Sequence, residues 1–189
     1  MVRMVDFALE CLAWLAALTV LMSFVEHQVH RRLMHKRNVL SRRFLSFNRT
    51  FEHHAVLHHG QYSKIFSDQP VATGEDRHLR LSIREGFLEA LPVAALLAMF
   101  SLPGAILLEV VVCTHHFIWN AIHTEMHKPE QRFFSEWSAY KSLARYHYLH
   151  HKYQNKNFNV VLPFADYALG TNIFATRSDR EGMSRSGLL

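Results

Sequence analysis

Cysteine is nearly absent from this chain: Cys11 and Cys113 are the only two in 189 residues. Both fall inside apolar stretches and neither has CxxC spacing. A disulfide framework is therefore excluded, and two buried free thiols are expected. Internal repeats, low-complexity tracts and nucleic-acid-binding motifs are also missing. The formal net charge of +5 and the pI of about 9.4 need no nucleic acid as partner. Basic residues facing anionic headgroups account for them. Charge itself is scarce in two places. Phe7–Val25 is 19 residues with one charged side chain, Glu10, and Phe87–Cys113 is similarly apolar.

The first of these stretches, as a helix, would reach about 28 Å, close to the ~30 Å hydrocarbon core of a bilayer. Its length, and the lack of a small-x-small site before HQVHRRLMHKR, favour a retained span over a signal peptide. The second is broken by Ser101-Leu102-Pro103-Gly104, which has turn chemistry. This predicts a helical hairpin with its tip at or near the far side of the membrane. Arg31, Arg32, Lys36, Arg37, Arg42 and Arg43 follow the first helix. Arg77, Arg80 and Arg84 precede the hairpin, Lys128 and Arg132 follow it, and the tip carries no charge. The positive-inside rule then puts the polar part in the cytoplasm. The tail from Arg177, RSDREGMSRSGLL, is polar and expected to be disordered.

What the chain has in abundance is histidine, 15 in all. Four clusters hold most of them: HRRLMH (His30, His35), HHAVLHH (His53, His54, His58, His59), HTEMH (His123, His127) and HYLHH (His147, His150, His151). His27, His115 and His116 lie close by. Only His78, in DRHLR, stands alone, and it reads as a solvated loop or interface residue. Helical neighbours are three or four residues apart. Phe133, Trp137, Tyr140, Ala144, His147 and His151 follow that spacing, as do Phe44, Phe47, Phe51, His54 and His58. In both runs an apolar stripe ends in imidazole, so the imidazoles are expected to point inward. His53 falls one step off the face. His59 lies about 100° from His58 and needs a helix end or a second metal to be used. His30 and His35, five apart, predict that the first helix ends or unwinds between them. His150 is expected to serve the same centre as His147 and His151.

A single inward histidine is usually a hydrogen-bonded core residue. Clusters of them would leave many buried polar groups to satisfy, and neutral imidazole is the commonest metal ligand. Ten are well placed: His30, His35, His54, His58, His59, His123, His127, His147, His150 and His151. One ion takes about four to six ligands, so ten imply two ions. All-imidazole ligation suits iron, zinc, copper or nickel.

In order and spacing, the four boxes resemble those of the fatty acid hydroxylase superfamily, which includes the sterol desaturases. NFNVVLPFADYALGT, residues 157–171, is similar to the segment after the last box in that family. The resemblance covers roughly His30 to Thr171. It implies an all-α integral-membrane protein with about three membrane helices, the hairpin included. Cytosolic helices would cap a dinuclear non-haem site whose ligands are the same ten histidines, in a single domain over 1–176. It implies two iron ions, O2 as co-substrate, and attack on an unactivated C–H bond of a lipid or fatty-acyl substrate. Zinc could replace iron in a purified sample without supporting redox chemistry. Desaturation or aldehyde processing would use the same centre, and a non-catalytic metal- or haem-binding membrane protein is the reading from outside catalysis. One departure stands out. The second box has three residues between His54 and His58, where fatty acid hydroxylases typically have two; related alkane-hydroxylase-like enzymes have three. No cytochrome b5-like segment is appended, so a separate donor, ferredoxin- or cytochrome b5-like, is expected. Glu26, Glu109, Glu125, Asn155, Asn159 and Asp166 are candidates to orient imidazoles through their second ring nitrogen, and for Glu26 and Glu125 a solvated or salt-bridged surface carboxylate is the other reading.

Overall fold

The computed structural model describes residues 2–63, 65–67 and 77–189, and these contain helices and no strand. Two helices are long and apolar enough to cross a membrane. They are α1 (Val2–Val29), prolonged by a π-helical turn over His30–Met34, and α6 (Leu102–His127). Only 17% of the apolar window of the first is buried by the protein and 33% of the second. Phe7, Leu12, Ile106, Val110 and Phe117 are all exposed, which suits helices solvated by lipid rather than core helices of a water-soluble fold.

Between the two spans in sequence lies α5 (Ile83–Ala98), which has 16 residues. It pairs with α6 as the hairpin expected from sequence. Ser101 caps α6, its hydroxyl accepting from the Gly104 amide at 3.1 Å, and the same hydroxyl donates to Glu10 on α1 at 3.0 Å. At this end Gly104 lies against the Trp14 indole, where a Cβ would come within 2.7 Å. Leu18, Met22, Ala94, Leu108, Val111 and Val112 form the core between α1, α5 and α6. The start of α6 meets Glu10 and Trp14 in the first half of α1, and His115 further along α6 approaches Glu26 near the end of α1, so the two helices run parallel and their last turns arrive together at the opposite end.

The cap is built there. It comprises α2 (Val39–Arg43), α3 (Leu45–Phe51), a π-helical turn over Glu52–His58, α4 (His59–Gln61) and a 3-10 turn over Arg77–Leu79. After α6 come α7 (Ser138–Lys152), α8 (Phe164–Ala168) and α9 (Arg177–Arg185). A second core of Phe66, Trp119, Ile122, Met126, Ala144 and Val160 joins α6 to α7. The stripe read onto α7 holds only in part. Ala144 and His147 are buried, but Phe133 and Trp137 precede the helix and are exposed.

In the tail from Arg177, expected to be disordered, Arg177–Arg185 forms α9. Thr176 and Asp179 form a capping box that starts α9. Asp179 is fully buried and accepts from Lys152 Nζ at 2.6 Å and the Tyr153 hydroxyl at 3.2 Å. Met183 is buried beside it, and Gly182 sits where a Cβ would clash with the Tyr148 hydroxyl. A tail of low apolar content is ordered here because α7 offers it a charge partner and a pocket. Neither signal is local to the tail sequence.

Candidate metal centre

Five elements bring the histidine boxes to one place, and the imidazoles divide into two groups. The first holds His30, His35, His54, His59 and His150; the second holds His58, His127, His147 and His151. Within each group the ligating nitrogens lie within 4.8 Å of one another. Rings stack across the boundary, His59 on His151 at 4.4 Å between centroids, so the two groups adjoin. Adjacent residues serve alternate groups twice: His58 and His59, and His150 and His151. His150 therefore does not share a group with its box partners His147 and His151, contrary to the sequence reading.

The division depends on two π-helical turns. On an α-helix residues five apart are about 140° out of line. A π turn closes an i→i+5 hydrogen bond and brings such residues back over one another. The amide of His35 donates to the carbonyl of His30 at 3.2 Å, and the amide of His59 donates to that of His54. Both i,i+5 pairs thus join the first group. The first helix does not unwind between His30 and His35; it widens. The same widening absorbs the extra residue of the second box, and it moves His58 to the second group instead of pairing it with His54. The two α-helical boxes, with their i,i+4 pairs His123/His127 and His147/His151, face the second group.

His123 stands just outside that group. Its ring centroid is 4.8 Å from those of His58, His127 and His147. Its Nδ1 bonds the Leu79 carbonyl at 2.9 Å, and its Nε2 is buried without a hydrogen-bond partner.

Backbone carbonyls fix the tautomers, and this tests whether the residues suit a metal. Nδ1 of His150 donates to the Lys156 carbonyl at 2.7 Å, Nδ1 of His127 to the Phe66 carbonyl at 2.7 Å, and Nδ1 of His30 to the Phe158 carbonyl. Each neutral ring then presents a bare lone pair at Nε2. Those lone pairs face other imidazole nitrogens: His30 to His54 at 2.8 Å, His150 to His35 at 3.0 Å and to His59 at 3.2 Å, His127 to His147 at 3.1 Å. Lone pairs of His30 and His150 converge within one group with no proton of their own between them. A cation at the centre resolves this. Nitrogens ~2.05 Å from a shared ion lie about 2.9 Å apart at right angles and about 3.3 Å apart at the tetrahedral angle. The observed separations fall in or near that range, so the residues fit a pair of metal ions.

Electrostatics agree. Burial, and then the neighbouring imidazoles, hold His54, His58, His147 and His151 well below the usual histidine range. Burial takes His35 to about 3 and His150 to about 4. All are neutral at pH 7, the form that binds metal.

None of the six candidates hydrogen-bonds an imidazole of either group among the described residues; Glu26 approaches His115 Nε2 at 3.4 Å and Asp166 approaches His27 Nε2 at 3.6 Å. Glu26 accepts from the Val160 amide at 2.6 Å, the Val161 amide at 3.3 Å and Asn159 Nδ2 at 3.1 Å. Asp166 accepts from the amides of Phe158 at 3.0 Å and Asn159 at 2.7 Å, and from the Thr171 hydroxyl at 2.6 Å. They grip the 157–161 loop, which supplies the Phe158 carbonyl that His30 needs and directly follows Lys156, whose carbonyl His150 bonds. Glu125 instead fastens the segment after α6, binding Arg132 and the Ser135 hydroxyl. Glu109 has both carboxylate oxygens buried within α6 and bonds no imidazole. Asn155 is exposed and its side chain makes no hydrogen bond among the described residues.

Sequence reading missed Asn157. It is fully buried at φ 54°, donates to the Tyr146 carbonyl at 3.2 Å and accepts from the Ile173 amide at 2.8 Å. It lies between Lys156 and Phe158, whose carbonyls accept from His150 and His30, and asparagine's tolerance of left-handed backbone was the available signal. His27, also buried, bonds Thr171 at 2.9 Å and belongs to this scaffold.

A cavity of about 530 Å³ opens between α1, α5, α6 and α3, within the range of small-molecule sites. His30 and His54 of the first group line it, and no histidine of the second group does. His53 and His78, set aside as ligands, line it as well.

Two membrane-length helices and two adjoining all-imidazole groups beside a cavity are the architecture of a membrane protein that could hold two metal ions. The fatty acid hydroxylase family model matches residues 15–171, and the chain belongs to that family. It is thereby an oxidoreductase of the membrane di-metal class that acts on lipids. No curated protein and no solved structure matches it.

Proposed function

We propose that the protein is an O2-dependent di-iron hydroxylase of a lipid or fatty-acyl C–H bond. The observation that carries the reading is the convergence of carbonyl-locked lone pairs from His30 and His150 beside the cavity wall. His30, His35, His54, His59 and His150 would hold one iron, and His58, His123, His127, His147 and His151 the other. Two irons, when bound, supply the binding and reduction of dioxygen.

The chain's own contribution is positional. Lys156, Phe158, Phe66 and Leu79 carbonyls keep the Nδ1 protons, so the ligating nitrogens stay unprotonated. Apolar side chains of α1, α5 and α6 admit a chain from the bilayer and exclude water. The overall change is R–H + O2 + two electrons + two protons giving R–OH + H2O, the electrons arriving from a separate ferredoxin- or cytochrome b5-like protein. Basic residues after α1 and before α5 support a cytoplasmic position for the site.

The test is anaerobic loading with Fe(II), then O2, a reductant and membrane lipid extract. About two irons per chain and a lipid product heavier by one oxygen are expected. A product lighter by two hydrogens would make the enzyme a desaturase, and turnover by metal-free protein would refute the reading.

A further inference from the structure

Two histidines on α6 serve neither group. His115 and His116 sit on the cavity wall beside Glu26 of α1 and Gly86 of α5. Nδ1 of His116 donates to the Val112 carbonyl at 2.9 Å, so in the neutral ring Nε2 is a bare acceptor. No described residue bonds that Nε2. The ring is accommodated by a glycine: a Cβ at Gly86 would lie 2.6 Å from His116 Nε2. Glycine inside a helix costs ~0.5–1 kcal/mol relative to alanine, which makes the vacated space a requirement of this imidazole. Beside it His115 is 9% exposed, and its Nε2 has no hydrogen bond, approaching only to 3.4 Å from Glu26 Oε2. That carboxylate already accepts from Val160, Val161 and Asn159.

A plain alkyl chain in this cavity would leave the imidazole acceptor desolvated and unpaired. Buried polar groups without partners are costly, and a site that offers a hydrogen bond selects the ligand that completes it. We propose that His116, with His115 and Glu26 beside it, recognises a hydroxyl on the lipid substrate, the hydroxyl donating to His116 Nε2. The substrate class is then a hydroxyl-bearing lipid rather than a hydrocarbon or an unmodified acyl tail. Glu26 and His30 are one helical turn apart, about 6 Å, so the recognised hydroxyl and the attacked carbon are distinct positions on one chain. This deepens, and rests on, the reading of the cavity as the substrate site.

Trp119 lines the cavity and reports its contents. The experiment uses the full chain in detergent, loaded with zinc, with Trp14→Phe and Trp137→Phe leaving Trp119 as the only indole. Quenching by 2-bromododecan-1-ol, whose bromine lies beside the recognised hydroxyl and so near Trp119, is compared with quenching by 2-bromododecane. The alcohol is expected to act at about tenfold lower concentration, the size of one buried hydrogen bond. His116→Phe should abolish that ratio while leaving quenching by the bromoalkane unchanged, and Gly86→Ala should reduce the ratio by displacing the ring. Micellar partition cancels between variants. Equal quenching by both probes, a preference that survives His116→Phe, or no quenching by either would overturn the proposal. Oxygenation by iron-loaded protein is scored separately. A preference without oxygenation refutes the hydroxylase reading alone, and oxygenation without a preference refutes this one alone.

Discussion

His54 and His58 are four residues apart, yet they belong to different histidine groups, because the backbone between them is π-helical. His54 reaches His30 at 2.8 Å, and His58 reaches His151 at 3.1 Å. The residue after His58 returns to the first group, His59 lying 3.2 Å from His54.

Substituting these neighbours should therefore remove different ions. His59→Ala is expected to weaken the first site and His58→Ala the second, each lowering bound metal from about two per chain towards one. Elemental analysis of purified protein gives the stoichiometry. Turnover should fall at least about 100-fold in both. Unchanged occupancy in either variant would mean that its imidazole is not a ligand.

Asn157 holds the loop whose carbonyls lock His30 and His150. Asn157→Ala removes its side-chain hydrogen bonds and puts a less tolerant residue at φ 54°. A stability loss of ~1–3 kcal/mol is expected, with metal affinity down about 10- to 100-fold. Asn157→Gly should recover the backbone part of the stability and little of the affinity. Thermal melting and competition with a chelator separate the two effects.

Acid should destabilise the metal-free protein in a defined window. Histidines titrate near 6.5 when unfolded, whereas burial lowers His150 to about 4 and His35 to about 3 in the fold. Between these values the unfolded chain binds more protons than the native one. Stability is thus fully present above pH 6.5 and is lost as pH falls towards 4 and 3. The melting temperature of chelator-treated protein in detergent should drop from pH 7 to pH 5. Bound metal, competing with protons, should move that drop to lower pH. A flat profile for the metal-free protein would contradict the burial described.

The C-terminal helix should behave as part of the domain. Asp179→Ala leaves Lys152 without its partner and removes the carboxylate half of the capping box of α9. Protease should then cut within 177–185 faster than in the parent protein, and the melting temperature should fall by several degrees, as for a loss of ~1 kcal/mol. Mass spectrometry of the digest locates the cut.

The sequence makes the histidines' chemistry plain because it is carried by type and spacing. Its grouping is less plain. An i,i+4 rule handles His123/His127 and His147/His151, which lie on regular α-helices. It fails for His30/His35 and His54/His59, where π turns change the repeat, and the five-residue spacing is the only local trace of them. Glu26 and Asp166 are recognisable as buried carboxylates. Their task, holding a loop that holds imidazoles, depends on contacts more than 130 residues apart for Glu26. Such contacts leave no periodic mark. Order in α9 hangs on Lys152 for the same reason.

His30, His123 and His127 lie within the apolar segments Met4–Met34 and Leu102–His127 themselves. The groups they enter are therefore divided between the spans and the cap. A fragment trimmed to its polar helices for convenience in water would keep most of the histidines and lose both centres. The bilayer is in this sense a structural component of the metal site, and a detergent or nanodisc that changes how α1 and α6 stand side by side will change the site with them.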